Sequence, residues 1–474
     1  MESNPNRLPR HVVLFPSPGM GHLIPFVELA KQLVVRHQLT ATIVTFADFQ
    51  ASTLLSSLPS SISNATLPPP PLDDLPPKAH IITRISYTMA RAASPLRELL
   101  ASLSRSTRVS AVFVDLLGGD TLSAARELGI PTYIFFTSNF FCLSFFLHLP
   151  ALDEATTGEY RDLPEPLRLP GCVDLWGEDF LEPIQDRSND ACSWVVHHAR
   201  NHRLVDGIIV DSFEAPETDA AEFFKQNELG VPPIWGIGPL TWASSKPNSD
   251  PHNCLGWLDE QPDGSVLLLC FGSGGTLSWQ QTQELALGLE MSGQRFLWAA
   301  RSPSEEDPSA SFFENGGDAN DDPLGFLPDG FLQRTKGRGM VVPSWVPQWE
   351  VLCHVATSGF LSHCGWNSTL ECLVHGVPMI AWPLYSEQRM NAVLLVEGMK
   401  VALRPEQGED GVVGREQVAT VVRELMVGKR GKEVRRRMRE MKEEAKKAVA
   451  EGGSSWKAMG AVVGLLKGAV LSGK

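Results

Sequence analysis

Short apolar runs, closed by Gly, Pro or Asp, alternate along the chain with stretches whose apolar residues return at helical spacing. The first run, His11 to Phe15, reads as a buried strand that ends at Pro16, Ser17, Pro18 and Gly19. From His22 to Val35 the apolar positions Leu23, Val27, Ala30 and Val34 predict a helix, and Ala41 to Phe46 predicts the next strand. Strand, Gly-containing loop, helix and strand together open a parallel sheet. Val109 to Val114 (closed by Asp115), Thr132 to Phe136 and Gly207 to Asp211 continue as strands, with a helix at Thr121 to Leu128. Phe140 to Leu149, interrupted by Ser144 and His148, reads as a buried helix ending at Pro150. Residues 56–78, Ser/Pro-rich with Pro68 to Pro71 in succession, read as a surface loop rather than a core element.

Residues 241–254 are rich in Ser, Pro and Asn and form the best linker candidate. Beyond them the pattern restarts. Ser265 to Phe271 predicts a strand, followed by a Gly-rich turn and a helix through Leu287; Phe296 to Ala300 and Met340 to Val342 predict further strands. Residues 303–325, acidic and Gly/Pro-rich, read as a mobile loop. Gln417 to Ala450 is helical and strongly charged, its KRGKEVRRRMREMKEEAKK run reading as a solvated face. A last helix starts near Ser455 and carries Ala458, Val462, Val463, Leu465 and Leu466. The expected class is α/β, with two consecutive doubly wound halves. Ligands of such sheets lie outside the carboxyl ends of the strands, so two facing halves would enclose a cleft.

Composition narrows the partners. A chain of 474 residues suits two or three domains, and 43% hydrophobic with 20% charged residues is ordinary for a globular protein. A net charge of −14 speaks against nucleic acid and against anionic lipid as partners. None of the eight cysteines forms CxxC, which suits a reduced, cytoplasmic setting. The polar N-terminus MESNPNRLPR leads into a run too short for a signal peptide, and no stretch of about 18 apolar residues predicts a membrane span. No metal-ligand spacing is visible; the acidic residues Asp318 to Asp322 lie in a Gly-rich loop and read as solvated. A monomer is expected.

Three constellations carry chemistry. In the stretch from Trp345 to Gln388, the apolar Gly359, Phe360 and Leu361 are followed by the turn HCGWNS (His363 to Ser368) and then by a helical pattern. That order presents a helix N-terminus, with its orphan N–H groups and positive dipole end, to an anion. Phe271-Gly272-Ser273-Gly274-Gly275-Thr276 lacks the Lys-Ser/Thr of a Walker loop. It reads equally as a backbone cradle with a Ser273 hydroxyl or as a tight strand-to-helix turn. Gly19-Met20-Gly21-His22 fails the dinucleotide fingerprint, since no third Gly follows in place. His22 reads either as a surface or capping residue or as a general base kept neutral by the helix dipole, with Asp115 at a strand end to orient it.

The stretch from Trp345 to Gln388 (WxPQ, HCGWNSTLE, GVPMIAWP, closing EQ) resembles at nearly every position the signature box of the plant family-1 UDP-sugar-dependent glycosyltransferases. PSPGMGHLIP and FGSGGT extend the resemblance over essentially the whole chain. FFLHLP, LPGCV and RFLWAARSPS make it most similar to phenolic glucosyltransferases of the hydroquinone glucosyltransferase type. The resemblance implies the GT-B fold: residues 1–240 as an acceptor-binding Rossmann-like domain, 241–255 as linker, 256–452 as the UDP-sugar domain, and 453–474 as a helix packing back on the first domain. It implies no metal and no cofactor beyond UDP-glucose as donor. Trp345 would stack on uracil and the Val346 backbone would bond its edge, this position commonly being Ala. Gln348 and Glu371 would hold the ribose. Ser273, His363, Gly365, Trp366 (through its N–H), Asn367 and Ser368 would surround the diphosphate. Tyr385, Glu387 and Gln388 would meet the sugar, many relatives having Asp at position 387. Gly21, Thr137 and Ser138 would complete the donor contacts.

By the same resemblance, His22 is the general base and Asp115 its partner, and transfer from an α-linked donor with inversion gives a β-D-glucoside and UDP. Phe140, Phe141, Phe145 and Leu181 would wall the acceptor, although each reads equally as plain core. An apolar, aromatic wall suits a flat phenol or hydroxylated indole. Extension of an existing glycoside and use of another UDP-sugar are the alternatives.

Overall fold

The computed structural model describes residues 10–48, 54–55, 58–226, 230–241, 250–305 and 322–468. The chain forms two compact units: Met1–Cys172, Pro183–Thr241 and Lys447–Lys474 make the first, Val173–Glu182 and Trp242–Lys446 the second.

The first unit is built on seven strands: β1 (Arg10–Phe15), β2 (Thr40–Phe46), β3 (Ile62–Leu67), β4 (Arg108–Asp115), β5 (Thr132–Phe136), β6 (Gly207–Val210) and β7 (Ile234–Gly236). They pair in parallel in the order β3-β2-β1-β4-β5-β6-β7. The central strands are continuous apolar runs because helices cover both faces of such a sheet; Val12 to Phe15 and Val112 to Val114 are fully buried. β3 corrects the reading of residues 56–78 as loop alone. Its sequence, ISNATL, buries only Ile62 and Leu67 at the sheet edge, so the hydrophobic run that announces a central strand is missing. The buried helix also runs on, from Phe140 to Ala155, with Pro150 inside it. Arg203 donates to the Leu147 carbonyl at 2.8 Å beside the turn that the proline interrupts.

The second unit has six strands: β8 (Val266–Cys270), β9 (Arg295–Ala300), β10 (Gly339–Pro343), β11 (Thr357–Ser362), β12 (Met379–Ala381) and β13 (Ala402–Leu403). They are parallel, in the order β10-β9-β8-β11-β12-β13. Leu267, Leu269, Trp298 and Leu361 from its strands pack with Leu285, Leu289 and Val422 from covering helices. The charged region after Gln417 is two helices, Arg415–Val427 and Lys429–Val449, divided at Gly428. A Cβ on Gly428 would run into the Glu424 carboxylate. The second helix buries Val434, Met438, Met441 and Ala445 beneath its charged face.

Two segments are grouped by contact rather than by order. The helix Ser454–Leu466 belongs to the first unit, where Ser455 Oγ donates to the Gly238 carbonyl and Arg10 donates to Leu466 O at 2.7 Å. Val173–Glu182, placed in the first domain by sequence, clusters with the second. There Glu182 N donates to Ser386 O at 2.8 Å and Arg404 pairs with Asp179 at 2.9 Å. Most of the predicted linker and of the acidic loop 303–325 lies outside the described residues. Among the described residues no helix is long and apolar enough to cross a membrane.

Candidate active site

Each sheet has one point where neighbouring strands send their connections to opposite sides, and in open α/β sheets that crevice is where ligands bind. In the first unit it lies between β1 and β4. The chain leaves β1 through Pro16 to Gly19, where Gly19 takes φ 131°, a conformation that favours glycine. The helix Met20–Lys31 then begins, with the His22 and Leu23 N–H groups bonded to the Gly19 carbonyl at 3.1 and 3.0 Å. This puts His22 on the first turn. Asp115 is the last residue of β4 and is fully buried.

His22 Nδ1 lies 2.8 Å from Asp115 Oδ2. The carboxylate also accepts from Ser17 N at 2.9 Å, Ser17 Oγ at 2.6 Å and Leu117 N at 2.9 Å. Burial alone would raise the Asp115 pKa, but the His22 charge and the hydrogen bonds from His22 and Ser17 outweigh it and hold the group below its ordinary value. An ionised, four-bonded Asp115 keeps a proton on Nδ1 and leaves Nε2 as the nitrogen that can take one. The His22 side chain is 20% exposed. Gly21 is exposed, and a Cβ there would meet nothing within 4 Å.

After β5, Thr137 and Ser138 are buried, and among the described residues the Ser138 hydroxyl has no hydrogen-bond partner. Phe140, Phe141 and Phe145, the residues read as acceptor wall, are buried in the interior of this unit. Phe140 packs against Phe224 with centroids 6.1 Å apart, and the Phe140 and Phe141 N–H groups donate to Glu217. Leu181 is also buried, but in the second unit.

In the second unit the crossover falls between β8 and β11. His363 follows β11 directly, and its ring fills a slot between Gly272 and Gly365: a Cβ on either glycine would overlap Nε2. Burial, helped by the nearby Arg301 charge, pushes the His363 pKa down to about 4, so the ring is neutral at physiological pH. Cys364 turns the chain at φ 66°, and the helix Trp366–His375 starts at Gly365 with no side-chain cap. Gly365 itself has no side chain with which to cap that end.

The flanks of this turn hold the remaining predicted donor residues. Gln348 Nε2 donates to Ser368 Oγ at 3.0 Å and to Glu371 Oε2 at 2.7 Å. Burial raises the Glu371 pKa to about 7, against the lowering effect of the Gln348 bond. Trp345 is 43% exposed, whereas Val346 is buried. Gln388 Oε1 accepts from Leu384 N at 2.9 Å and Tyr385 N at 3.1 Å, which commits its carbonyl to the turn and leaves its amide donors for a ligand. Ser273 is exposed. The unit thus brings together an exposed tryptophan, a hydrogen-bonded Gln348–Ser368–Glu371 cluster, a glycine-lined turn and an acid–amide pair.

The family profile described as "UDP-glucoronosyl and UDP-glucosyl transferase" matches residues 243–441. The hydroquinone glucosyltransferase of Rauvolfia serpentina is 48% identical over 455 residues, covering 95% of this chain and 96% of that protein. The chain belongs to this family. Among solved structures, the UDP-glucosyltransferase from Polygonum tinctorium capable of glucosylating indoxyl, in complex with 3,4-dichloroaniline, is 45% identical with a TM-score of 0.90 over 98% of this chain and 99% of that one. Phytolacca americana UGT2, complexed with UDP-2fluoro-glucose and pterostilbene, is 46% identical with a TM-score of 0.88 over 97% and 100%. This protein is therefore a UDP-glycosyltransferase with the GT-B fold of two Rossmann-like domains.

Three residues of this glycosyltransferase escaped the sequence reading of the site. Ser17 lies inside the quoted PSPGMGHLIP stretch, yet nothing in its spacing announces a carboxylate far along the chain. Arg301 follows β9, and its guanidinium reaches the carbonyls of Gly272 and Gly275. Asn391, fully buried, donates to Cys364 O at 2.9 Å and to Glu387 Oε1 at 3.3 Å, tying the turn to the predicted sugar-binding carboxylate. Each is defined by a contact between separate segments.

Proposed function

We propose that this enzyme transfers glucose from UDP-glucose to the hydroxyl of a small aromatic acceptor, a phenol or hydroxylated indole, with inversion. The observation that carries the reading is the His22–Asp115 pair at 2.8 Å at the crossover of the first sheet. His22 Nε2 takes the acceptor proton as the oxygen attacks the anomeric carbon. The bond from that carbon to the phosphate oxygen breaks, and UDP leaves with the electron pair. Asp115 stabilises the imidazolium that forms. The second unit holds the donor: Trp345 stacks on uracil, the Val346 backbone bonds its edge, and Gln348 and Glu371 take the ribose hydroxyls. Ser273, His363, Asn367, Ser368 and the Trp366 N–H receive the diphosphate, whose growing charge the helix end stabilises. Glu387 and Gln388 bind sugar hydroxyls, with Thr137 or Ser138 as a further sugar contact. The relatives whose names include hydroquinone, pterostilbene and indoxyl support a flat hydroxylated acceptor.

The test is a panel of phenols, hydroxyindoles and their glucosides incubated with UDP-glucose, with UDP-galactose as control. UDP release and the anomeric coupling constant of the product are read. Efficient β-glucosylation of free phenols is expected. No release above the acceptor-free rate, or an α-linked product, would defeat the reading.

A further inference from the structure

We infer that Arg301 is a positioning residue of the donor site: it turns the Gly272–Gly275 loop so that its N–H face meets the diphosphate, and it keeps the His363 slot in shape. The inference rests on the donor reading above and adds to it a residue outside the signature stretch.

Arg301 leaves the end of β9, the strand beside β8, and its Nη1 reaches the carbonyls of both Gly272 and Gly275, the latter at 3.2 Å. A trans peptide unit points its C=O and N–H in opposite directions. With the Gly272 carbonyl drawn onto the guanidinium, the Ser273 N–H of the same peptide is aimed the other way, and Ser273 is an exposed residue. Gly272 adopts φ 75°, which permits this orientation and removes the Cβ that would strike His363. A loop whose carbonyl oxygens faced the ligand would repel an anion. Pinning two of them to one cation removes that repulsion, and a backbone N–H turned to the ligand in their place is how backbone concavities bind phosphate.

The guanidinium acts a second time through charge. Burial keeps the His363 imidazole neutral, and the guanidinium charge adds to that effect. It also brings a permanent positive charge behind a loop that must accept two phosphates, where charge-assisted interactions are the strong ones. Lysine would keep the charge but has a compact ammonium in place of a planar fork matched to several acceptors.

The experiment compares binding of UDP and uridine to the full-length wild type, Arg301→Met and Arg301→Lys by calorimetry, with uridine measured by competition. Arg301→Met should raise the Kd for UDP by about tenfold or more, equivalent to about 1.4 kcal/mol, and leave the Kd for uridine within about twofold. Arg301→Lys should fall between the two. Circular dichroism and Tm establish folding, and if the methionine variant does not fold, the lysine variant carries the same ratio. A wild-type preference for UDP that survives both substitutions overturns the inference alone, as does an equal loss for UDP and uridine. A wild type that binds UDP no better than uridine overturns the diphosphate reading and the inference with it.

Discussion

At the crossover between β1 and β4 a histidine faces a carboxylate; at the crossover between β8 and β11 a histidine faces two glycines and a guanidinium. The strand orders around the two points are alike, each running outward on both sides from the first strand of its unit. The chemistry is not alike. Asp115 is held ionised by four hydrogen-bonding or ionic contacts and so favours a proton on the ring it touches. Arg301 does the reverse, and burial holds His363 near pKa 4. Topology places a histidine at the mouth of each sheet, and the neighbour then decides which way its protonation is biased.

The sharpest way to break the comparison is His22→Ala. If the first histidine is the base, turnover should fall by about 10²–10⁴-fold, the usual contribution of general-base catalysis. UDP affinity should be unchanged, because the residues proposed to hold its uracil, ribose and diphosphate belong to the second unit. Single-turnover kinetics and calorimetry on one preparation separate the two effects. Unchanged turnover would remove His22 from the mechanism, and lost UDP affinity would mean that the two crossovers do not divide the labour.

Gly365→Ala addresses the other histidine. Gly365 has φ −61°, so alanine is acceptable to the backbone and the effect is steric: the new methyl collides with His363 Nε2. Overpacking of this kind costs about 1–3 kcal/mol, so the Kd for UDP should rise by about tenfold to a hundredfold. Calorimetry beside the wild type reads it. Unaltered affinity would show that the slot has no bearing on the donor.

The two crossovers also differ in how much could be read before folding. The donor groups from Trp345 to Gln388 are contiguous, because one strand–turn–helix unit and its flanks supply nearly all of them, so their spacing was visible. Apart from the family resemblance, the pair His22–Asp115 was legible only as residues at two strand ends, since parallel pairing of β1 with β4 is what makes them neighbours. Ser17, Arg301 and Asn391 left no trace in spacing because each acts on a segment that the sheet order brings close. β3 was hidden for another reason: an edge strand with Ser63, Asn64 and Thr66 facing outward has no continuous hydrophobic signal. Phe140, Phe141 and Phe145 could be read as wall or core, and burial is common to both readings.

The smallest effect expected is a pH dependence confined to the second crossover. Glu371 has its pKa raised by burial to about 7, whereas His363 at about 4 is neutral throughout the range from pH 5 to 8. Between the ordinary carboxyl value and about 7, the folded protein holds a proton on Glu371 that the unfolded chain has released. This group's contribution to stability therefore falls as pH rises through that window. Nucleoside binding should show the opposite slope. Two ribose hydroxyls donate to a carboxylate but not equally well to a carboxylic acid, so the ionised form is the competent one. Its fraction drops about tenfold between pH 8 and pH 6, and apparent affinity follows the competent fraction. Uridine is the proper probe because it has no phosphate to titrate. Its Kd should rise by up to about tenfold from pH 8 to pH 6, with proton release on binding seen in buffers of different ionisation enthalpy. Glu371→Gln should bind more weakly and lose the slope. A flat wild-type profile would mean that the carboxyl does not read the ribose in its ionised form, and the contrast between a titrating donor site and a neutral His363 would have to be redrawn.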